Sequence, residues 1–155
     1  MEKQYETLRL KNQICFPLYA CSKEIIRAYK PYLDALDLTY TQYITMMVMW
    51  EHQTLRVKEV GAYLYLESST LTPVLKRLED KGYVTRRRSD QDERDLIVTV
   101  TDNGMALQER AVAVPKQLSA CIGMPPEKAI ALYELLYELL GTLTKTAPEH
   151  AEERR

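Results

Sequence analysis

The chain is 155 residues long and 18.0 kDa, the size of one ordinary domain. Its 21 Lys and Arg against 22 Asp and Glu leave a formal net charge of −1, and 46% of its residues are hydrophobic. This balance excludes a disordered acidic tail and a globally basic nucleic-acid coat, and no apolar run reaches the roughly 20 residues needed to cross a bilayer. Eleven Tyr stand beside one Phe and one Trp. Three Cys, with no basic-then-apolar signal segment at the amino end, argue against a secreted disulfide framework and for a reducing, cytoplasmic setting.

In chain order, Ile14, Leu18, Cys21, Ile25 and Ile26 recur at three- and four-residue steps, so the spacing predicts a helix over 10–29. Pro17 bends it or marks where regular bonding starts, and Pro31 ends it. Met46, Met47, Met49 and Trp50 predict a buried helix entered through Thr39 or Thr41 as its cap. Val57, Val60 and Leu64 form one face of a short amphipathic run. Leu71, Val74, Leu75 and Leu78 form the face of another, which opens on Glu67-Ser68-Ser69-Thr70 and stops at Gly82. The pattern then alternates. Residues 83–88 and 96–100 read as two strands joined by the polar tip 89–95. A helix follows the cap cluster Thr101-Asp102-Asn103 and runs toward Cys121, with Pro115 as a kink. Pro125-Pro126 opens a last helix, Glu127 to about Thr144, with Ile130, Leu132, Leu136, Leu139, Leu140 and Leu143 apolar. The fold class is therefore mainly α with a small β-hairpin, a winged helix-turn-helix. We expect one domain over 1–155, with a winged lobe at about 41–100 between terminal helices at about 8–36 and 102–146.

Locally the charges are not balanced. Between Lys76 and Arg88, six basic residues (Lys76, Arg77, Lys81, Arg86, Arg87, Arg88) face two acidic ones, Glu79 and Asp80. A helix that begins with hydroxyls and ends in Lys-Arg suits a major groove, where hydroxyls reach base edges or phosphates and cations neutralise the backbone. Arg94, at the hairpin tip beside Asp92 and Asp95, suits an adjacent minor groove. The other reading of the same residues is a solvated face whose Arg-Arg-Arg pairs with the acidic run that follows it. Enzyme signatures are missing: no Cys-x-x-Cys, no Gly-rich phosphate loop, no Gly-x-Ser-x-Gly elbow and no compact zinc spacing, so no cofactor or metal is expected. His52 reads as a helix-end hydrogen-bond partner and His150 as part of a polar tail.

Two segments resemble a known family. Leu66-Glu67-Ser68-Ser69-Thr70-Leu71-Thr72-Pro73-Val74-Leu75-Lys76-Arg77-Leu78-Glu79, with Arg88-Ser89 and Asp92-Glu93-Arg94-Asp95, resembles the recognition helix and wing of MarR-family transcription regulators. Asn12-Gln13-Ile14-Cys15-Phe16-Pro17-Leu18-Tyr19-Ala20 resembles the sensor-cysteine segment of its OhrR branch, the organic-hydroperoxide-responsive repressors. Leu38-Thr39-Tyr40-Thr41-Gln42-Tyr43 and Trp50-Glu51-His52 extend the likeness, which covers residues 8 to 146. The chain departs from the family pattern at Glu67, where Asp is usual, and at Pro17.

The resemblance implies a homodimer joined through its terminal helices, gripping double-stranded DNA at a pseudo-palindromic operator and releasing it when an organic hydroperoxide oxidises Cys15. It implies a sensor pocket of Tyr29 and Tyr40 from the partner subunit, completed by Tyr19. It further implies DNA contacts from Ser68, Ser69, Thr70, Thr72, Pro73, Lys76, Arg77, Arg86, Arg88 and Arg94. Cys121 is then either a resolving thiol, forming an intersubunit disulfide with Cys15, or a buried structural thiol; without a resolver, a small cellular thiol takes its place. Cys21 lies six residues from Cys15, roughly 240° around a helix, so a bridge between them is poor and Cys21 reads as packing. On a helix, Lys11 and Tyr19 flank Cys15 one turn either way and Ile14, Phe16 and Leu18 surround it with apolar groups that favour a lipophilic oxidant. By itself such a cysteine is more commonly an inert core residue, and only the motif reverses that reading. The alternatives are a MarR-type regulator of another oxidant or of a small lipophilic ligand and, in another class, a thiol peroxidase.

Overall fold

The computed structural model describes residues 2–89 and 95–146. The chain divides after Leu118 into two compact units.

The first unit opens with 3-10 turns over Glu2–Leu8 and Leu10–Asn12, then helix α1, Cys15–Asp34. The helix thus starts five residues later than the apolar spacing predicts, because Gln13 is extended and ends the second 3-10 turn. Pro17 falls in the first turn of α1, where its missing N–H costs no helical bond. Pro31 does not end α1 as expected; the helix continues through it to Asp34. Proline there forfeits only the bond to the Arg27 carbonyl. The turn is held instead by Leu33, which is buried, by a Lys30–Asp34 ion pair of 2.7 Å and by the Leu38 N–H donating to the Leu33 carbonyl.

Helix α2, Tyr40–His52, is capped by Thr39: its hydroxyl accepts from the Gln42 N–H while the Gln42 side chain accepts from the Thr39 N–H. Met46 and Met49 are fully buried, but Met47, expected among them, is exposed, since the helix turns its position away from the core. A short strand β1, Thr54–Arg56, precedes α3, Val57–Leu64, and α4, Ser68–Asp80. Strands β2, Val84–Arg88, and β3, Leu96–Val100, make the hairpin. β1 pairs antiparallel on the other edge of β3, giving the order β1-β3-β2. Three residues are too few for alternation to register, so β1 was not legible in the sequence.

The turn between α3 and α4 depends on Gly61. A Cβ there would collide with the Leu66 carbonyl, and the Leu66 N–H donates to the Gly61 carbonyl at 2.9 Å across the bend. Tyr65 takes the left-handed conformation at φ 54° to complete it. Leu71, Leu75 and Leu78 of α4 are entirely buried against Met46, Met49, Val60, Val84 and Val98, each Leu contributing about 1.5–3 kcal/mol by its removal from water. Gly82, at φ 73°, stops α4 as expected.

Thr101 caps α5, Asp102–Ala111, by accepting from the Gly104 N–H. Close approach demands Gly104, because a Cβ would meet the Tyr83 carbonyl and a Val100 methyl. The Trp50 indole donates to the Gly104 carbonyl at 2.7 Å, fastening α2 to α5. The single kinked helix expected toward Cys121 is two helices: α5 stops at Ala111, and α6, Val114–Ile122, begins with Pro115 in its first turn. In the second unit, α7 spans Pro126–Thr146 and none of its described side chains is buried. Among the described residues, no helix is long and apolar enough to cross a membrane.

Candidate functional site

Helix α4 buries its leucines and turns its polar side outward. Ser68, Ser69, Thr70, Thr72, Pro73, Lys76 and Arg77 are all exposed. Glu67 is the N-cap residue but makes no side-chain cap bond; its carboxylate accepts instead from the Ser69 hydroxyl at 3.4 Å. The amide groups of the first turn are thus not capped by that side chain. The Thr72 hydroxyl donates to the Ser68 carbonyl at 2.7 Å, which leaves its oxygen to accept.

The wing is braced from both sides. Arg86, expected among the DNA-facing cations, is held by Glu79: its guanidinium donates twice to Glu79 Oε2, at 3.0 and 2.6 Å, and its backbone N–H donates to Glu79 Oε1 at 3.0 Å. The Arg86 hydrogen bonds hold the Glu79 carboxyl below its ordinary range. Arg86 therefore joins β2 to α4. Asp95 lies 3.4 Å from both the Arg56 guanidinium and the Lys58 ammonium, and the Ser89 N–H donates to the Asp95 carbonyl at 2.8 Å. The carboxylate at the base of the hairpin thus meets cations of β1 and α3. Arg88 is exposed at the end of β2. Asp92, Arg94 and His150 lie outside the described residues.

Cys15 is the first residue of α1 and is exposed. Lys11 is not its helical neighbour, because it belongs to the preceding 3-10 turn. Tyr19 stands one turn along α1, with the Lys23 ammonium 5.2 Å from its ring centre. Ile14, Phe16, Leu18 and Tyr19 are exposed around the thiol. Cys21 and Cys121 are exposed as well in the single chain.

Tyr29 lies at the far end of α1 from Cys15, roughly 21 Å along the axis at 1.5 Å per residue. It meets Tyr40, with ring centres 5.0 Å apart, and Tyr43 at 5.7 Å; Tyr43 in turn meets Trp50 edge-on at 6.3 Å. The structure thus joins two of the expected sensor tyrosines and adds Tyr43, which is itself part of the core. Burial, then the neighbouring Tyr40 and Tyr43, push Tyr29 up to about 12, and burial raises Tyr40. Both phenols stay protonated near neutrality and are hydroxyl donors.

Beside this cluster is an open cavity of about 450 Å³, lined by Tyr43, Met47, Trp50, Gln108, Val112 and Pro115 among others. His52 ends α2 and stacks on Tyr63 at 4.5 Å. Among the described residues, no group of three His, Cys, Asp or Glu is placed to hold a metal ion.

Residues 27–110 match the family model of the SarA/Rot transcriptional regulators. The organic hydroperoxide resistance transcriptional regulator of Bacillus subtilis is 46% identical over 92% of this chain and 97% of its own length. The regulator SarZ of Staphylococcus saprophyticus is 43% identical over 91% and 95%. Among solved structures, reduced AbfR bound to DNA superposes with a TM-score of 0.73 at 38% identity, covering 92% of this chain and 99% of that one. AbfR, from Staphylococcus epidermidis, has also been solved overoxidised on DNA and with a disulfide formed. These relatives are regulators rather than enzymes. By sequence and by its winged-helix fold, the chain belongs to the SarA/Rot-type transcriptional regulators of the MarR family.

Proposed function

We propose that this protein is a redox-sensing transcriptional repressor that binds double-stranded DNA and releases it when an organic hydroperoxide oxidises Cys15. One observation carries the reading: an exposed cysteine begins α1 in a chain 46% identical to a Bacillus regulator of organic hydroperoxide resistance. The exposed hydroxyls and cations of α4 support DNA as the partner, with Ser68, Ser69, Thr70, Thr72, Pro73, Lys76 and Arg77 in one major groove and Arg88 and Arg94 on the wing.

The working form is a homodimer through the terminal helices. Leu132, Leu136, Leu139 and Leu143 of α7 are spaced four, three and four apart and exposed in the single chain, a stripe that suits a second copy. The distance along α1 supports the same assembly, because a cysteine reached by Tyr29 and Tyr40 must come from another subunit.

The chemistry balances with the hydroperoxide as oxidant. The Cys15 thiolate attacks the terminal peroxide oxygen, the O–O bond breaks, the hydroxyl passes to sulfur to give a sulfenic acid, and the alkoxide takes a proton from solvent and leaves as the alcohol. Hydroxyl groups of Tyr29 and Tyr40 donate to the sulfur centre. A second thiol, Cys121 of the partner subunit or a small cellular thiol, then attacks that sulfur, forming the disulfide and releasing water. Movement of α1 takes the two recognition helices off the spacing of about 34–36 Å that successive major grooves require. A second reading, a small lipophilic ligand as the signal, is favoured by the cavity beside Tyr43 and Trp50.

The test is a DNA-binding titration of wild type and Cys15→Ser with and without cumene hydroperoxide. Release of the wild type alone is expected. Equal release of the serine variant overturns the Cys15 mechanism, and failure of the wild type to bind any palindromic duplex overturns the regulator reading. On a non-reducing gel the oxidised protein runs at dimer mass if Cys121 resolves, and at monomer mass with a small-thiol adduct if it does not.

A further inference from the structure

The connection between α1 and α2 is short and tightly specified. After Asp34 the chain turns through Ala35 and Leu36, reverses at Asp37 in the left-handed region (φ 53°) and enters α2 at its Thr39 cap. The Asp37 N–H donates to the Asp34 carbonyl at 3.1 Å and the Leu38 N–H to the Leu33 carbonyl at 3.0 Å. Leu36 and Leu38, on either side of Asp37, are buried, so this elbow cannot shift without moving both helices.

Two carbonyls of the elbow have no backbone donor among the bonds of that turn, and each is met by a cation from another helix. The Arg110 guanidinium of α5 donates to the Ala35 carbonyl at 2.8 Å. The Lys81 ammonium donates to the Asp37 carbonyl and pairs with the Asp37 carboxylate at 3.0 Å. Lys81 is also the C-cap residue of α4, its own N–H donating to the Arg77 carbonyl at 3.1 Å. One residue therefore closes the recognition helix with its backbone and holds the end of the sensor helix with its side chain.

We infer that Lys81 is a positioning residue that couples α1 to α4, delivering movement of the Cys15 helix to the recognition helix through its contact with Asp37. The inference rests on the redox reading of Cys15. Nothing in the sequence separates Lys81 from the other cations of the basic run, which suggest DNA contact. Its ammonium is instead turned to the elbow, and its side chain is only 27% exposed. The polar cleft around it, lined by Asp34, Gln42, Arg77 and Asp80 as well as Asp37, opens between the same two elements. Anything that levers the elbow therefore acts on the carboxyl end of α4.

The test compares wild type, Lys81→Met and Asp37→Asn for three quantities: affinity for one palindromic duplex when reduced, affinity after cumene hydroperoxide, and the rate of Cys15 oxidation. Methionine keeps the stem without the charge, and asparagine tolerates the left-handed conformation without the ion pair. Both variants are expected to oxidise at the wild-type rate and to bind reduced within about twofold of wild type. The peroxide-induced loss of affinity is expected to shrink by about fivefold or more, the usual lower scale of a coupling between sites, and Lys81→Arg is expected to restore it. A residue with a merely structural role would weaken both affinities equally, and an unchanged ratio of oxidised to reduced affinity in Asp37→Asn overturns the inference even if Lys81→Met does not fold. A wild type that hydroperoxide does not release from DNA overturns the redox reading first, and the coupling with it.

Discussion

Helices α4 and α7 are both amphipathic by sequence, yet they use their apolar faces in opposite ways. In α4, Leu71, Leu75 and Leu78 are wholly buried and the outward face is hydroxyls and cations. In α7, Leu132, Leu136, Leu139 and Leu143 remain exposed, with Leu143 at 57%. A helix that has spent its apolar face on its own core offers a polar surface to a polar partner, here a phosphate backbone. A helix whose apolar face is unspent offers it to another apolar surface, and the stripe on α7 is the face proposed to meet a second copy of the chain.

The comparison breaks most sharply by truncation in the core. Leu75→Ala is expected to lower the unfolding free energy by about 3 kcal/mol in urea melts, through lost burial and a cavity. Leu136→Asp, on the stripe of α7, is expected instead to spare the helical circular dichroism and shift the sedimentation-equilibrium mass from dimer to monomer. It should also lower DNA affinity at least tenfold, because two half-sites are no longer held together. A wild type that is already monomeric at micromolar concentration would remove the second half of the comparison.

Within the winged lobe, Arg77 and Arg86 sharpen the distinction between a cation that faces DNA and one that braces the fold. Arg77→Ala is expected to weaken DNA binding about tenfold and to reduce the salt slope by about one. Arg86→Ala should leave that slope unchanged and cost about 1.5 kcal/mol of stability, since it removes the guanidinium donors to Glu79 and leaves only the backbone one.

The smallest effects are in pH. Tyr29 is pushed up to about 12 in the fold against an ordinary 10.0, so its stabilisation is complete below pH 10 and is lost as pH rises toward 12. Tyr29→Phe should flatten that part of the decline in urea melts between about pH 10 and about pH 12. Glu79 has the opposite sign. Its lowered value makes the Arg86 pair stabilising above the ordinary 4.5 and lost as pH falls through the folded value. Glu79→Gln should remove that acid-side slope.

Much of the fold was legible because its signals are local. The three-four spacing of Leu71, Leu75 and Leu78, the Thr39 and Thr101 caps and the Gly82 stop each depend on a few adjacent residues. The misreadings have local causes too. Pro31 looks like a helix end, but a buried Leu33 carries the turn past it; Pro115 looks like a kink, but it begins a new helix. The site was legible in part. The residues on the outer face of α4 follow from periodicity, whereas Arg86, Lys81 and Tyr43 carry no mark in the chain of what they meet.

By itself, then, the sequence determined the winged-helix order and the polar outer face of the recognition helix, because periodicity and capping are properties of neighbours along the chain. Only the tertiary structure decided which of six clustered cations face outward and which are tied down, and which tyrosines stack together. Those outcomes depend on contacts between residues such as Lys81 and Asp37, or Trp50 and Gly104, that lie 44 and 54 positions apart, and no local pattern records such pairings.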